Sequence, residues 1–599
     1  MPKVGIDDLI AARGPEIVRK LLADAWRFDG RSCPEPVHLS EIENAALGRK
    51  RLAIDLMVSA VGESYLLPKT IGLRCTPIEP PTRKPKLRLV RPAEDGDSGA
   101  NAGQACSHCN ENGGNWQIEI QSPELLIELT KVPSRRLRER LAEYASARCT
   151  NAHVVEIKER QTVTCFLATP KAGHLRTVVS ADGEQTVDEA GRPFREKLVY
   201  LLGTLDRPSR YYRGIGVAVP SPKTQEATAF LWHLRSIEAD HESFRITAQL
   251  REAFRAFQAE TGRAWQQLKA LAMDVTTHIT NIYGAHRVLS LIGKLLVYHS
   301  ILQFRFDGER LKRGWLEMLE IGDTGQGKTQ QVDRIRERTG LGEGVDGVST
   351  TRTGLAYAYQ KVNDSWFLLW GKYPLNDGRL LFVDEAQRLS QEDIDKVRKG
   401  RSDGKIVAAG IRSGEHPTRT RLIMTCNPRY QGVVDDQMFG IELIKETFQD
   451  EDVRRFDFAI ISSSSDDKAD INLRRASSDP AAQLITAETL AASIRWAWSR
   501  RPEHVVFSDD AVQATYEMAR SLTEAYGDAR DIPLVLESDI RHKVARIAVA
   551  IAALLHSTDE SHERVVVTGE HVAAVGDFLI SAYAHPNCSF DVYARLRRR

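Results

Sequence analysis

Residues 316–329 read LEMLEIGDTGQGKT. An apolar run ends at Gly322, and Gly322, Asp323, Thr324, Gly325, Gln326, Gly327, Lys328 and Thr329 complete the pattern G-x-x-x-x-G-K-[ST], with a helical pattern behind them. A strand, a glycine-rich turn and a helix in that order point backbone N–H groups inward around phosphate oxygens. Lys328 can then reach the β and γ phosphates, and Thr329 can ligate magnesium. The ligand this order of residues takes is ATP with Mg2+.

Downstream, LLFVDEAQ (380–387) places four apolar residues in a buried strand that delivers Asp384 and Glu385 to its carboxyl end. Asp384 suits the magnesium shell, and Glu385 suits the polarisation of an attacking water, because phosphoryl transfer needs in-line positioning more than covalent chemistry. The next strand, RLIMTCNPR (421–429), ends at Asn427, whose amide can hydrogen-bond the water or the γ phosphate. From Leu316 to Ser462 strands alternate with helical patterns, as in a parallel sheet with crossover helices.

The whole chain has 599 residues, enough for two to four domains. Its 82 basic and 81 acidic residues give a formal charge of +1, which excludes a protein that coats nucleic acid by bulk charge. The longest apolar stretch, Ala545 to Leu555, is too short for a bilayer, and the N-terminus shows no secretory pattern, so no membrane partner and a cytoplasmic location are expected.

Upstream, residues 49–75 (RKRLAIDLMVSAVGESYLLPKTIGLRC) read as a hairpin around a glycine turn, with further β-rich stretches at His153 to Leu167 and Leu198 to Val219. Such strands suit a small barrel. The segment between the first two, about 76–150, is an insertion carrying the basic run RKPKLRLVR (83–91), the cluster SRRLRERL (134–141) and ACSHCNENGG (105–114). Five of the eight cysteines lie between Cys75 and Cys165. Cys106 and Cys109 form a knuckle able to share one tetrahedral Zn2+, and Cys75 and Cys149 flank the insertion as the remaining ligands, with His153 competing for the fourth position. Cys165 falls in a strand pattern and is assigned to the core. Residues 226–302 show helical periodicity and are read as a connector.

The motifs resemble those of AAA+ ATPases, and in detail the minichromosome maintenance (MCM) helicases, over about 49–584. ITNIYGAHRVLSLIGKLLVYHSI (279–301) is similar to the helix that introduces the family's ATPase domain. VSTTRTGLAYAY (348–359) and DSWFLLWGKYPLNDGRLLFVDE (364–385) resemble its helix-2 insert running into Walker B, and KIVAAGI (405–411) its pre-sensor hairpin. VRRFDFAII (453–461) resembles the stretch bearing the arginine finger, which implies that Arg455 is presented to ATP on the next subunit. DIRHKVARIAVAIAALL (539–555) resembles the sensor-2 helix, with Arg541 favoured over Arg546.

The resemblance implies a multidomain chain: a helical segment (1–48), an OB-fold barrel with a zinc-binding insertion (49–225), the connector (226–302), an α/β AAA+ core (303–480), and a helical lid with a basic tail (481–599). It also implies a homohexameric, ATP-driven helicase acting on single-stranded and forked DNA, of a prokaryotic or mobile-element type, which would make the cytoplasmic location nucleoid-associated. The chain departs from the family at Gly327 and Thr329, and Ala408 and Ala409 stand where the hairpin's lysine is expected, leaving Lys405 and Arg412 nearby. Two other functions compete: a protein remodeller of the MoxR or chelatase kind, from which a zinc-bearing barrel would distinguish it, and a DNA-bound ATPase switch that does not unwind.

Overall fold

The computed structural model describes residues 36–37, 51–75, 114–146, 152–170, 175–180, 183–188, 197–205, 211–220, 227–236, 244–282, 284–347, 355–362, 365–429, 432–464 and 483–598. It divides into two compact units, one of residues 1–237 with 361–367, the other of 238–360 with 368–599.

In the first unit five strands close on themselves. Strand β1 (Arg51–Cys75) runs antiparallel to β3 (Ala152–Pro170) along most of its length and to the short β2 (Gly114–Glu119) near its end. Next to β3 lies β4 (Lys197–Leu202), which is parallel to β6 (Ala227–Ser236); β6 pairs antiparallel with β5 (Tyr211–Pro220), and β5 returns to Arg51–Met57 of β1. Closure leaves no exposed edge among these five. Residues two apart, such as Ile54, Leu56 and Val58 on β1 and Ala227, Ala229 and Leu231 on β6, share one buried core. Two helices, α1 (Pro123–Thr130) and α2 (Leu137–Ser146), lie between β2 and β3 in the chain.

Two expectations change here. Residues 49–75 do not make a hairpin: β1 is one 25-residue strand, bent by register shifts on either side of Gly62. A Cβ on Gly62 would run into the Phe367 ring and sit 2.7 Å from the Cys165 sulfur, so this glycine serves close approach and not a turn. Residues 226–302 are not helical throughout, because Ala227–Ser236 is the barrel's last strand. Phe230, Leu231 and Trp232 are all buried, and a strand covered on both faces shows no alternation to separate it from a buried helix. Cys165 is buried as expected.

The second unit begins with helices α3 (Ala264–Val275) and α4 (Ala285–His299), followed by a five-stranded parallel sheet in the order β8 (Glu343–Asp346), β9 (Leu380–Asp384), β12 (Arg421–Cys426), β7 (Glu317–Gly322), β13 (Phe458–Ser462). Strand β7, buried throughout, lies between β12 and β13 and feeds helix α5 (Lys328–Thr339). Helix α6 (Gln391–Asp403) leads into a hairpin of β10 (Lys405–Ala408) and β11 (Gly414–Pro417). Five helices complete the unit: α7 (Ala487–Trp498), α8 (Asp509–Tyr526), α9 (Ile540–Leu554), α10 (Gly569–Tyr583) and α11 (Phe590–Arg597). The apolar stretch from Ala545 is the buried side of α9, and among the described residues no helix is long and apolar enough to cross a membrane.

Candidate nucleotide site

Three neighbouring parallel strands end at one place. β7 stops at Gly322, β9 at Asp384, and β12 at Cys426, one residue before Asn427. Ligands of open parallel sheets bind at the carboxyl ends of the strands. Gly325 and Gly327 take left-handed backbone with φ of 86° and 74°, which lets the loop turn tightly into α5.

Several polar side chains converge here. Lys328 is buried, and its Nζ donates to the carbonyls of Gly322 (2.6 Å) and Asp323 (2.7 Å) and to Asn427 Oδ1 (3.0 Å). Thr329 Oγ1 donates to Asp384 Oδ2 at 2.9 Å, while Asp384 Oδ1 accepts from Thr425 Oγ1 (2.6 Å) and from the Glu385 N–H (2.9 Å). A hydroxyl and a carboxylate this close are hard oxygen donors, and they fit Mg2+. Glu385 holds left-handed backbone (φ 46°), uncommon for a residue with a Cβ, and its partly exposed carboxylate lies 3.3 Å from Arg388 Nε. Thr324 and Gly325 are exposed. Asp323 is turned away from any phosphate: its carboxylate accepts the N–H groups of Val434 and Ser464, each at 2.8 Å, and so fixes the loop.

Beneath the loop lies a group that the motifs do not reveal. Glu320 of β7 and Lys294 of α4 are buried and 2.8 Å apart. Lys294 Nζ also donates to Gln331 Oε1 (2.6 Å) and the Lys328 carbonyl (3.1 Å), and Ser290 Oγ donates to Glu320 Oε1 (2.7 Å). Burial pushes the Lys328 pKa down; Glu320 pulls it up and Lys294 pushes it down again. The available signal was a charge in each of two otherwise apolar patterns, since buried charges demand partners.

Arg455 and Arg541 are not part of this cluster. Arg455 precedes β13, whose last residue, Ser462, lies beside Gly322, so the length of β13, roughly 15 Å, separates Arg455 from the loop of its own chain. Its guanidinium is half-buried on the carbonyls of Arg398 (3.0 Å) and Glu451. Arg541 is exposed, and its Nε donates to His542 Nε2 at 3.3 Å. Arg546 is buried against Asp457.

The zinc residues Cys106, Cys109 and Cys149 lie outside the described residues, as do the side chains of Cys75 and His153 and the basic run 83–91. Among the described residues no cluster of metal-binding side chains occurs. In the cluster at 134–141, Arg135, Arg136 and Arg138 are exposed, whereas Arg140 pairs with Glu128 and Glu143.

A parallel sheet with a phosphate loop on a central strand, acidic and amide residues at the adjacent strand ends, and a helical lid define an AAA+ ATPase. Residues 265–477 match the family model of the MCM P-loop domain. The match supports an AAA+ ATPase domain like that of the MCM proteins over these residues.

Proposed function

We propose that the chain is a helicase subunit that hydrolyses ATP and, in a homohexameric ring, translocates on single-stranded DNA and unwinds forked duplex. The observation that carries this reading is the convergence of Lys328, Thr329, Asp384, Glu385 and Asn427 at three strand ends. On binding, Lys328 exchanges the Gly322 and Asp323 carbonyls for phosphate oxygens. Thr329 and Asp384 hold Mg2+, which supplies positive charge to the phosphates. Glu385 accepts the proton of the attacking water, and Asn427 orients that water against the γ phosphate. Arg455, remote from its own loop, serves the nucleotide of the adjoining subunit; Arg546, committed to Asp457, leaves the sensor-2 role to Arg541.

The DNA assignment rests on the first unit. A closed barrel of five strands with β4 and β6 as parallel neighbours supports an OB-fold, which binds oligonucleotides, and the exposed Arg135, Arg136 and Arg138 suit phosphate. Its base suits zinc. Cys75 pairs in register with Gly114 and with Ala152, and in the sequence Cys109 stands five residues before Gly114 and Cys149 three before Ala152, which supports this reading. One observation favours the switch without unwinding: Lys405 of the hairpin is paired with Glu415 at 3.2 Å.

Strand displacement on a forked duplex with ATP, against Lys328→Ala as control, tests the proposal. Displacement that depends on Lys328 is the expected result. Hydrolysis stimulated by DNA with no displacement would select the switch.

A further inference from the structure

At the opposite end of the sheet from the phosphate loop, a cluster of charges surrounds the segment that carries Arg455. Asp457 is buried; its Oδ1 accepts from Arg546 Nε (2.8 Å), and its Oδ2 from Arg313 Nη2 (2.6 Å) and the Glu317 N–H (2.8 Å). Arg313 Nη1 donates in turn to the Arg455 carbonyl at 2.8 Å. The guanidinium of Arg401 covers the ring of Phe456 at 4.4 Å and donates to Glu317 Oε2 at 2.6 Å. Outside, Arg454 donates to Asp539 Oδ2 (3.3 Å) and Ser538 Oγ (3.1 Å), just before α9. Each of the four residues 454–457 is therefore fixed, and two of them, Arg454 and Asp457, are fixed by the segment 538–546 of the helical lid.

Stability alone gives no reason for such a cluster. Burying ions costs several kcal/mol each, and apolar side chains of similar volume pack at least as well. What a guanidinium gripping a carboxylate adds is direction, because both groups are planar and their hydrogen bonds fix orientation. The Asp457–Arg546 bond spans 89 residues of sequence and joins the lid helix to the residue two places after Arg455.

We propose that the Arg313–Asp457–Arg546 cluster is a positioning device for Arg455, through which the lid sets where that arginine is presented to the nucleotide of a neighbouring subunit. This rests on the reading of Arg455 as acting across a subunit interface. A shift of the lid moves Arg546, hence Asp457 and the Arg455 backbone.

The test uses the full chain. Arg546→Lys keeps the charge opposite Asp457 and loses the planar fork, and Arg454→Ala removes only the surface bond to the lid, which leaves the core intact if the first variant fails to fold. The expected result is ATP affinity within about twofold of the parent while kcat falls about tenfold or more for Arg546→Lys and by less for Arg454→Ala, because misplacing a catalytic group costs turnover and not binding. Mixing either variant with Lys328→Ala protein should restore turnover, since each variant's intact P-loop then meets a correctly held Arg455 on the Lys328→Ala subunit. Unchanged kcat in both variants, or a defect that mixing does not relieve, would overturn the proposal, the latter by placing the fault in the variant's own nucleotide site. Arg455→Ala mixed with Lys328→Ala is the control: if that pair exchanges subunits and fails to complement, the reading of Arg455 is what fails.

Discussion

Lys328 directs its ammonium at three oxygens of its own chain, two of them carbonyls of the loop that is to hold phosphate. The buried cation is thus satisfied before ligand arrives, and phosphate oxygens replace partners it already has. Lys328→Ala should abolish turnover and weaken ATP binding, measured by hydrolysis and by direct nucleotide titration. Glu385→Gln should separate the two, keeping ATP affinity within about threefold while lowering kcat by about two to four orders of magnitude, because the amide cannot take the water's proton. Retained turnover in Glu385→Gln would move the base elsewhere. These residues were legible in the sequence because the loop is contiguous and because Asp384 and Glu385 follow an unbroken apolar run. Glu320 and Lys294 were not: their partners lie on separate elements, and only the fold shows that the two charges meet.

Among the elements, β1 and α9 show where pattern and packing part. A glycine within a β pattern reads equally as a turn or as a place of close approach, and Gly62 proved to be the second because the Phe367 ring and the Cys165 sulfur occupy the space a Cβ would need. Gly62→Val should destabilise the barrel by about 1–3 kcal/mol, the usual cost of overpacking, read as a lower denaturant midpoint for the first unit. For α9 the determinant is Asp457, which precedes β13 and pairs with Arg546 of the helix. Burial pushes its pKa up, but Arg313, then Arg546 and Lys543, outweigh burial and hold it below the usual carboxylate range. A carboxylate with a depressed folded-state pKa contributes stability that is fully present above its unfolded value, near 4, and is lost as pH falls through the folded value. Asp457→Asn should therefore destabilise the second unit at pH 7 by about 3–5 kcal/mol, the cost of breaking a buried pair, with the deficit shrinking below about pH 4. Acid titrations of both proteins, followed by tryptophan fluorescence, check this; a deficit constant from pH 7 to pH 3 would mean that the carboxylate's charge is not what holds α9.

Over the whole molecule, the proposed function gives each of the two units a ligand of its own, which would make their stabilities separable. Whatever binds only the folded form of a unit stabilises that unit by mass action, so on this proposal ATP with Mg2+ would act on the second unit, which contains Lys328 and Asp384, and Zn2+ would act on the first, whose strand β1 ends at Cys75. The protein should contain about one zinc per chain. Chelation should then lower protection from hydrogen exchange across β1, β2 and β3, near Cys75, while the exchange of β7 and α5 stays unchanged. Saturating ATP should do the reverse, protecting β7 and α5 and leaving β1 as it was. At a ligand concentration about 100 times its Kd the gain is about 2.7 kcal/mol, or roughly a hundredfold slower exchange in the unit that binds, provided the amides exchange through unfolding of that unit. Protein prepared without chelators that holds less than about half an equivalent of zinc, and whose β1 amides ignore chelation, would leave the cysteines as plain thiols. Chelation that loosened β7 and β1 equally would instead show that the metal belongs to both units, against the placement of every proposed thiolate ligand before residue 150.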